Sequence, residues 1–321
     1  MDSTPPEFSC PGDRKVARNP LLHIASTVRG KAKKNNNMDI DLILQAIKNR
    51  CLDLKIKFND KGYVDCFEDN LISLIPNWNI IKKEFDNGDG NELKGSDNRL
   101  PKFKSIYSSA ALCVNNFAFI KHRINQSLDF NFLNYSGFDS AKFESKLPSG
   151  LRGHCPNLDF TLENDSVIIG IESKFTEFFT AKLPNEKRNG KSYGNLEPYF
   201  RSKKLDCLKD FKNNVVKYYK DYPNKMYLDS SQLIKHTLGI INKVTNEKKA
   251  VLIYIYWLPE NWKGIDIFEK HEIEIAEFKT KISPYIDFIS LSYLDYWTII
   301  ARDLILNNYI DKVKERYLLK V

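Results

Sequence analysis

A chain of 321 residues, 42% hydrophobic and 28% charged, can bury a sizeable core as one large domain or two small ones. No apolar run reaches the ~18 residues of a membrane span, and the N-terminus lacks the apolar stretch of a signal peptide, so a cytoplasmic location is expected. The six cysteines are scattered and never form C-x-x-C, which argues against a zinc site or disulfide framework, and a net charge of +8 points only weakly to a polyanionic partner.

Half of that excess charge lies in residues 1–37, where seven Lys and Arg face three acids. This stretch mixes Pro, Ser, Arg and Asn without periodicity and reads as a disordered basic tail ending in an Asn35-Asn36-Asn37 linker. Met38, which opens a far better helical pattern, is a candidate start of the biological chain. Asp39 or Asp41 can cap a helix over 42–54, with Ile43, Leu44, Ile47, Cys51 and Leu54 at helical spacing. The glycine-rich polar run 86–98 reads as a loop, so residues 38–98 form an N-terminal helical subdomain and linker, and residues 99–321 the main domain.

Ser108 or Ser109 can cap the next helix, which runs to about Lys121. Glu144-Ser145-Lys146 is ended at once by Leu147-Pro148-Ser149-Gly150. A second Glu-Ser-Lys, Glu172–Lys174, instead closes the apolar run Val167-Ile168-Ile169-Gly170-Ile171. Such a run fits a strand covered on both faces. Asn164-Asp165 between it and 157–162 signals a two-residue hairpin turn. That register sets Asp159 opposite Gly170, and side-chain alternation then projects Asp159, Gly170, Glu172 and Lys174 from one face. Gly170 leaves that face open beside two carboxylates, and a close carboxylate pair calls for a proton or a cation. Mg2+ suits such hard oxygen ligands.

Residues 182–225 carry twelve Lys and Arg against five acids, interleaved with Tyr and Phe. They read either as a solvated face or as a surface that neutralises backbone phosphates through Arg188, Lys191, Arg201, Lys203 and Lys204. Ser202 can cap a helix through about Tyr218, and Asp229 or Ser230 another over 231–244, where Gln232 and His236 share a face. Residues 250–258 read as a buried strand, parallel to the Glu172 strand if the intervening helix is the crossover. A helix over 267–282, a strand over 286–293 and one long closing helix over 296–319 complete the pattern.

Asp159 followed by Glu172-Ser173-Lys174 at the end of an apolar strand resembles the PD-(D/E)-x-K nuclease superfamily, with Pro156-Asn157-Leu158-Asp159 in place of a strict Pro-Asp pair. More narrowly, Glu172-Ser173-Lys174-Phe175-Thr176-Glu177 and Ser108-Ser109-Ala110-Ala111-Leu112-Cys113-Val114-Asn115-Asn116-Phe117 resemble the E-S-K-[FY]-T-E and S-S-x-A-L-x-x-N-x-F stretches of a bacterial restriction endonuclease family. The resemblance implies an α/β restriction-endonuclease-like core: a mixed central β-sheet flanked by helices, with helical N- and C-terminal additions. It implies a Mg2+-dependent deoxyribonuclease, with Mn2+ as a substitute. Asp159, Glu172 and the Ser173 carbonyl would bind metal, and Lys174 would position water or stabilise charge. Glu144 would be a further carboxylate near the metal, or else a surface ion-pair partner of Lys142 or Lys146. Gln232-x-x-x-His236 resembles the Gln-x-x-x-Tyr helix of some members, which lines the site. Ser108, Ser109, Asn115 and His236 would contact nucleic acid, or else cap and pack. A restriction-type enzyme implies a separate methyltransferase and often a homodimer. A repair or recombination nuclease, and a non-catalytic DNA-binding protein, stay open beside it.

Overall fold

Strand β3 (Val167–Lys174) is buried along its length except at Lys174, because it is flanked by strands on both edges and by helices on both faces. The computed structural model describes residues 35–321 apart from 74, 89–90, 97–98, 150, 152–154, 186–194 and 245–246. In chain order the elements are α1 (Asn35–Asp53), α2 (Trp78–Asn87), α3 (Ser109–Asn125), β1 (Ser140–Lys146), β2 (Asn157–Glu163), β3, α4 (Glu197–Arg201), α5 (Lys209–Phe211), α6 (Lys217–Lys220), α7 (Ser230–Lys243), β4 (Lys249–Tyr256), α8 (Asp266–Ile282), β5 (Asp287–Ser292), α9 (Tyr293–Ile300) and α10 (Leu304–Tyr317).

The sheet order is β1-β2-β3-β4-β5. The first three strands form an antiparallel meander, and β4 and β5 continue parallel to β3. A chain leaving β3 must cross over before it can pair in parallel, and α7 supplies that crossover as expected. This is the expected mixed sheet flanked by helices. On one face α3 packs against β1, β2 and β3, with Phe117 stacked on Phe160 at 5.0 Å. Helix α7 packs against β3 and β4. Ile43 and Ile47 of α1 and Ile81 and Phe85 of α2 belong to the same contiguous apolar core as the sheet. No helix among the described residues is long and apolar enough to cross a membrane.

The hairpin turn differs from expectation. The turn residues are Asp165 and Ser166, because the Asn164 N–H donates to the Val167 carbonyl at 3.0 Å. Asn164 Oδ1 also accepts from the N–H groups of Ser166 and Val167, both at 2.8 Å, so its side chain initiates the turn instead of occupying it. The register moves accordingly, with Thr161 rather than Asp159 opposite Gly170. A two-residue slip preserves faces, but β2 breaks its alternation near the site. Phe160 pairs with Ile171, on the face away from the Gly170 Cα–H, whereas a Cβ on Gly170 would meet Leu158 Cδ1 at 2.5 Å and Ile240 Cδ1 at 2.7 Å. Leu158 and α7 therefore fill the space that Gly170 was expected to leave open beside the carboxylates.

Three helical expectations also change. Asn35, Asn36 and Asn37 lie in α1 and not in a linker, while the tail over 1–34 lies outside the described residues. The helix from Ser202 is broken into a 3-10 stretch (Lys203–Leu208), α5, a π-helical turn (Lys212–Val216) and α6. The closing helix is two helices. Asp303 accepts from the Ile305 and Leu306 N–H groups and restarts the chain as α10, while Arg123 Nη1 holds its other oxygen at 2.5 Å.

Candidate active site

The C-terminal ends of β3 and β4 open into a cleft of about 470 Å3 lined by Asp159, Glu172, Lys174 and Gln232, together with Ser108, Ser109, Asp229 and Tyr254. Glu172 is 1% exposed. Lys174, two residues further along the same strand face, hydrogen-bonds Glu172 Oε1, and His236 Nε2 lies 2.8 Å from Oε2. Burial alone would raise the Glu172 carboxyl, but Lys174 and His236 together hold it down at about 2. Half-buried Asp159 moves the opposite way: desolvation and the neighbouring Glu172 charge push it well above the usual carboxylate range. Burial would lower Lys174, yet Glu172 and Asp159 beside it raise it well above an ordinary lysine. The ammonium is thus fixed in its charged form.

Ser173 is fully buried between them. Its N–H donates to Asp159 Oδ2 at 2.6 Å, and its hydroxyl pairs with Tyr293 Oη at 2.8 Å. In a strand the N–H and C=O of one residue point to the same side, so the Ser173 carbonyl faces the edge where β2 has ended its pairing and Asp159 stands. Two carboxylates and one carbonyl make an open, oxygen-only donor set. Among the described residues no three His, Cys, Asp or Glu side chains form a group that could hold a metal ion, so a metal here would rest on fewer protein side chains, the carbonyl and water. An open oxygen site suits Mg2+, which keeps several waters, and does not suit a structural zinc.

The other expected residues divide. Ser108 caps α3, its Oγ accepting from the Ala111 N–H at 3.2 Å, and together with Ser109 it lines the cleft. Gln232 lines it from the first turn of α7, whose cap is Asp229. Glu144 is neither a cleft-lining residue nor a surface ion-pair partner. It is 8% exposed, adopts φ 49°, and its Oε2 accepts from Asn157 at 3.1 Å. Burial and the charge of Glu92 raise it to about 7.

Two of the expected nucleic-acid contacts are overturned. Asn115 is fully buried, accepts from the Ile72 N–H at 2.8 Å, and donates to the Asn70 carbonyl at 3.0 Å and Tyr317 Oη at 2.7 Å. Its side chain joins α3 to α10 and offers nothing to a ligand. His236 is 1% exposed and lies against Glu172, so it does not reach a phosphate. Arg201, Lys203 and Lys204 are exposed and lie outside the cleft, and Arg201 pairs with Glu197. Arg188 and Lys191 lie outside the described residues.

Sequence reasoning missed Tyr254, Lys102 and Arg99 as cleft residues. Tyr254 is directly paired with Glu172 across β3–β4, and its hydroxyl meets His271 Nε2 at 2.9 Å. Its place in an apolar strand gave no sign of this, although the parallel register would have. Lys102 and Arg99 enter from a loop whose path only tertiary packing determines. Comparison with the curated proteins and with the solved structures finds no match. The mixed sheet agrees with the remaining comparison: a family model, restriction endonuclease associating with ARP, matches residues 32–318, and the chain belongs to that family.

Proposed function

We propose that this chain is a Mg2+-dependent endodeoxyribonuclease of restriction or defence type, acting through the PD-(D/E)-x-K set Asp159, Glu172 and Lys174. The observation that carries the reading is the convergence of Asp159, Glu172 and Lys174 at the floor of one cleft, with opposed shifts on the two carboxyls. Titratable neighbours pushed apart in this way are characteristic of sites with chemistry to perform. Asp159, Glu172 and the Ser173 carbonyl would hold the metal. Bound there, Mg2+ supplies Lewis-acid stabilisation of phosphoryl charge and a more acidic water. Mn2+, with similar ligand preferences, is expected to substitute.

In the unliganded protein Glu172 and Asp159 favour the charged form of Lys174. As an ammonium it would orient the attacking water and offset the negative charge that develops on the phosphate. Gln232 donates from the α7 side of the cleft, and Ser108 and Ser109 contact the substrate strand from the start of α3. The exposed cations Arg201, Lys203 and Lys204 add salt-dependent affinity for the flanking backbone. We extend to this chain the association with ARP that the family description names.

The test is cleavage of plasmid and linear DNA with Mg2+, with EDTA, and by the Asp159→Ala and Lys174→Ala variants. Metal-dependent cutting abolished by either substitution is expected. Cutting that persists in both variants would sink the assignment.

A further inference from the structure

Helix α7 is drawn unusually close to the β1–β2 side of the molecule. A Cβ on Gly239 would stand 2.6 Å from the Leu147 carbonyl oxygen, so only glycine allows this approach. One turn earlier on the same helix His236 is 1% exposed, and its Nε2 lies 2.8 Å from Glu172 Oε2. The pair is in ion-pair contact without hydrogen-bond geometry, and among the described residues neither atom has a hydrogen-bond partner. His236 Nδ1 has none either. Among the described residues Glu172 is the polar group that engages the imidazole, at the carboxylate oxygen opposite the Lys174 contact at Oε1. It has no route to a substrate phosphate.

We infer that His236 is a positioning residue: together with Lys174 it fixes the rotation of the Glu172 carboxylate and so sets the geometry of the divalent-cation site. This rests on the reading of Glu172 as a metal ligand. A carboxylate on a strand end turns freely about its last side-chain bond unless both oxygens are held. Lys174 is itself placed to engage the substrate, which would leave His236 as the permanent anchor. Partners that orient a metal ligand from behind typically contribute roughly 10–100-fold to metal affinity or activity.

The experiment is calorimetric titration of MnCl2 into the full chain without DNA, for the wild type, His236→Leu and His236→Gln, with thermal unfolding of each as a folding control. Leu fills the space but has no donor, whereas the Gln amide nitrogen extends about as far as Nε2. His236→Leu is expected to weaken Mn2+ binding by roughly 10–100-fold, and His236→Gln to restore most of it. The DNA-cleavage defect of His236→Leu is expected to shrink as Mn2+ is raised, which a merely structural role would not produce. Should His236→Leu fail to fold, His236→Asn, too short to reach Glu172, takes its place with the same expectation. A folded variant without the donor that binds Mn2+ as tightly as wild type would overturn the inference and leave the proposed function standing. A wild type that binds neither Mn2+ nor Mg2+ would instead overturn the metal-site reading, and this inference with it.

Discussion

Replacing Lys174 with Met keeps the length of the side chain and removes its charge. In the folded protein Lys174 is the strongest influence opposing the burial of Glu172, and it also lowers Asp159. Removing one partner of a buried ion pair typically costs about 3–5 kcal/mol, because the other charge is left uncompensated. Glu172 is 1% exposed and meets that condition. The pH dependence follows by sign. In the wild type the Glu172 carboxyl is depressed to about 2, so its stabilisation is fully present above its ordinary value and is lost only as pH falls towards 2. Without Lys174 the folded carboxyls of Glu172 and Asp159 both rise. A raised carboxyl contributes stability at low pH and loses it as pH climbs. Urea unfolding in EDTA should therefore show a larger loss for Lys174→Met at pH 8 than at pH 5. Adding Glu172→Gln should recover most of the loss at pH 8, since it removes the orphaned charge. Equal losses at the two pH values, or no recovery in the double variant, would refute the claim that Lys174 keeps Glu172 ionised.

Asn115→Ala removes three buried hydrogen bonds and should destabilise the chain by about 2–4 kcal/mol; DNA affinity measured well below the transition should not change. Ser108→Ala removes the cap of α3 and should cost about 1 kcal/mol in chemical denaturation. Glu144 is raised to about 7, so its contribution to stability is complete below its ordinary value near 4.5 and fades as pH rises through 7. Stability curves of Glu144→Gln should accordingly be flatter than wild type between pH 5 and pH 8; an unchanged slope would place the titration elsewhere.

The sheet could be read from sequence because its signals are local. Val167–Ile171 is apolar at every position, a pattern that a strand covered on both faces requires, and the span between β3 and β4 is long enough only for a crossover. The register of the hairpin was misread because Asn164 has two roles in turns. It can occupy the turn or bond back to the N–H groups of residues two and three ahead, and composition does not choose between them. The break in alternation at Leu158–Phe160 has no signal in the polar and apolar pattern, and it sets Leu158 beside Gly170 together with Ile240 of a helix eighty residues away. Asn115 and His236 were misplaced for one shared reason. A polar residue in a helix suggests an exposed face, and only the fold supplies buried partners, Ile72 and Tyr317 for one and Glu172 for the other. Asp303, by contrast, was a legible cap that a long amphipathic pattern concealed.

The same buried charges decide which role is open to Lys174. A lysine that acts as a general base needs its ammonium destabilised, by burial or by another cation. Burial is present here, but in the unliganded protein Glu172 and Asp159 outweigh it. On the proposed reading the ion pair with Glu172 is part of the machinery. It would keep one carboxylate ionised for a divalent cation and one ammonium charged for the phosphate. If Lys174 keeps its proton, the proton lost by the attacking water must leave by another acceptor, and the cleft offers Glu92, Glu177 and Asp229 as carboxylates beyond the pair. Of these, Asp229 already accepts from the Gln232 N–H and the Ser231 hydroxyl, while Glu177 accepts from the Phe175 N–H at the edge of the catalytic strand. Phe175 directly follows Lys174, so β3 carries Glu177 to the cleft beside the ion pair.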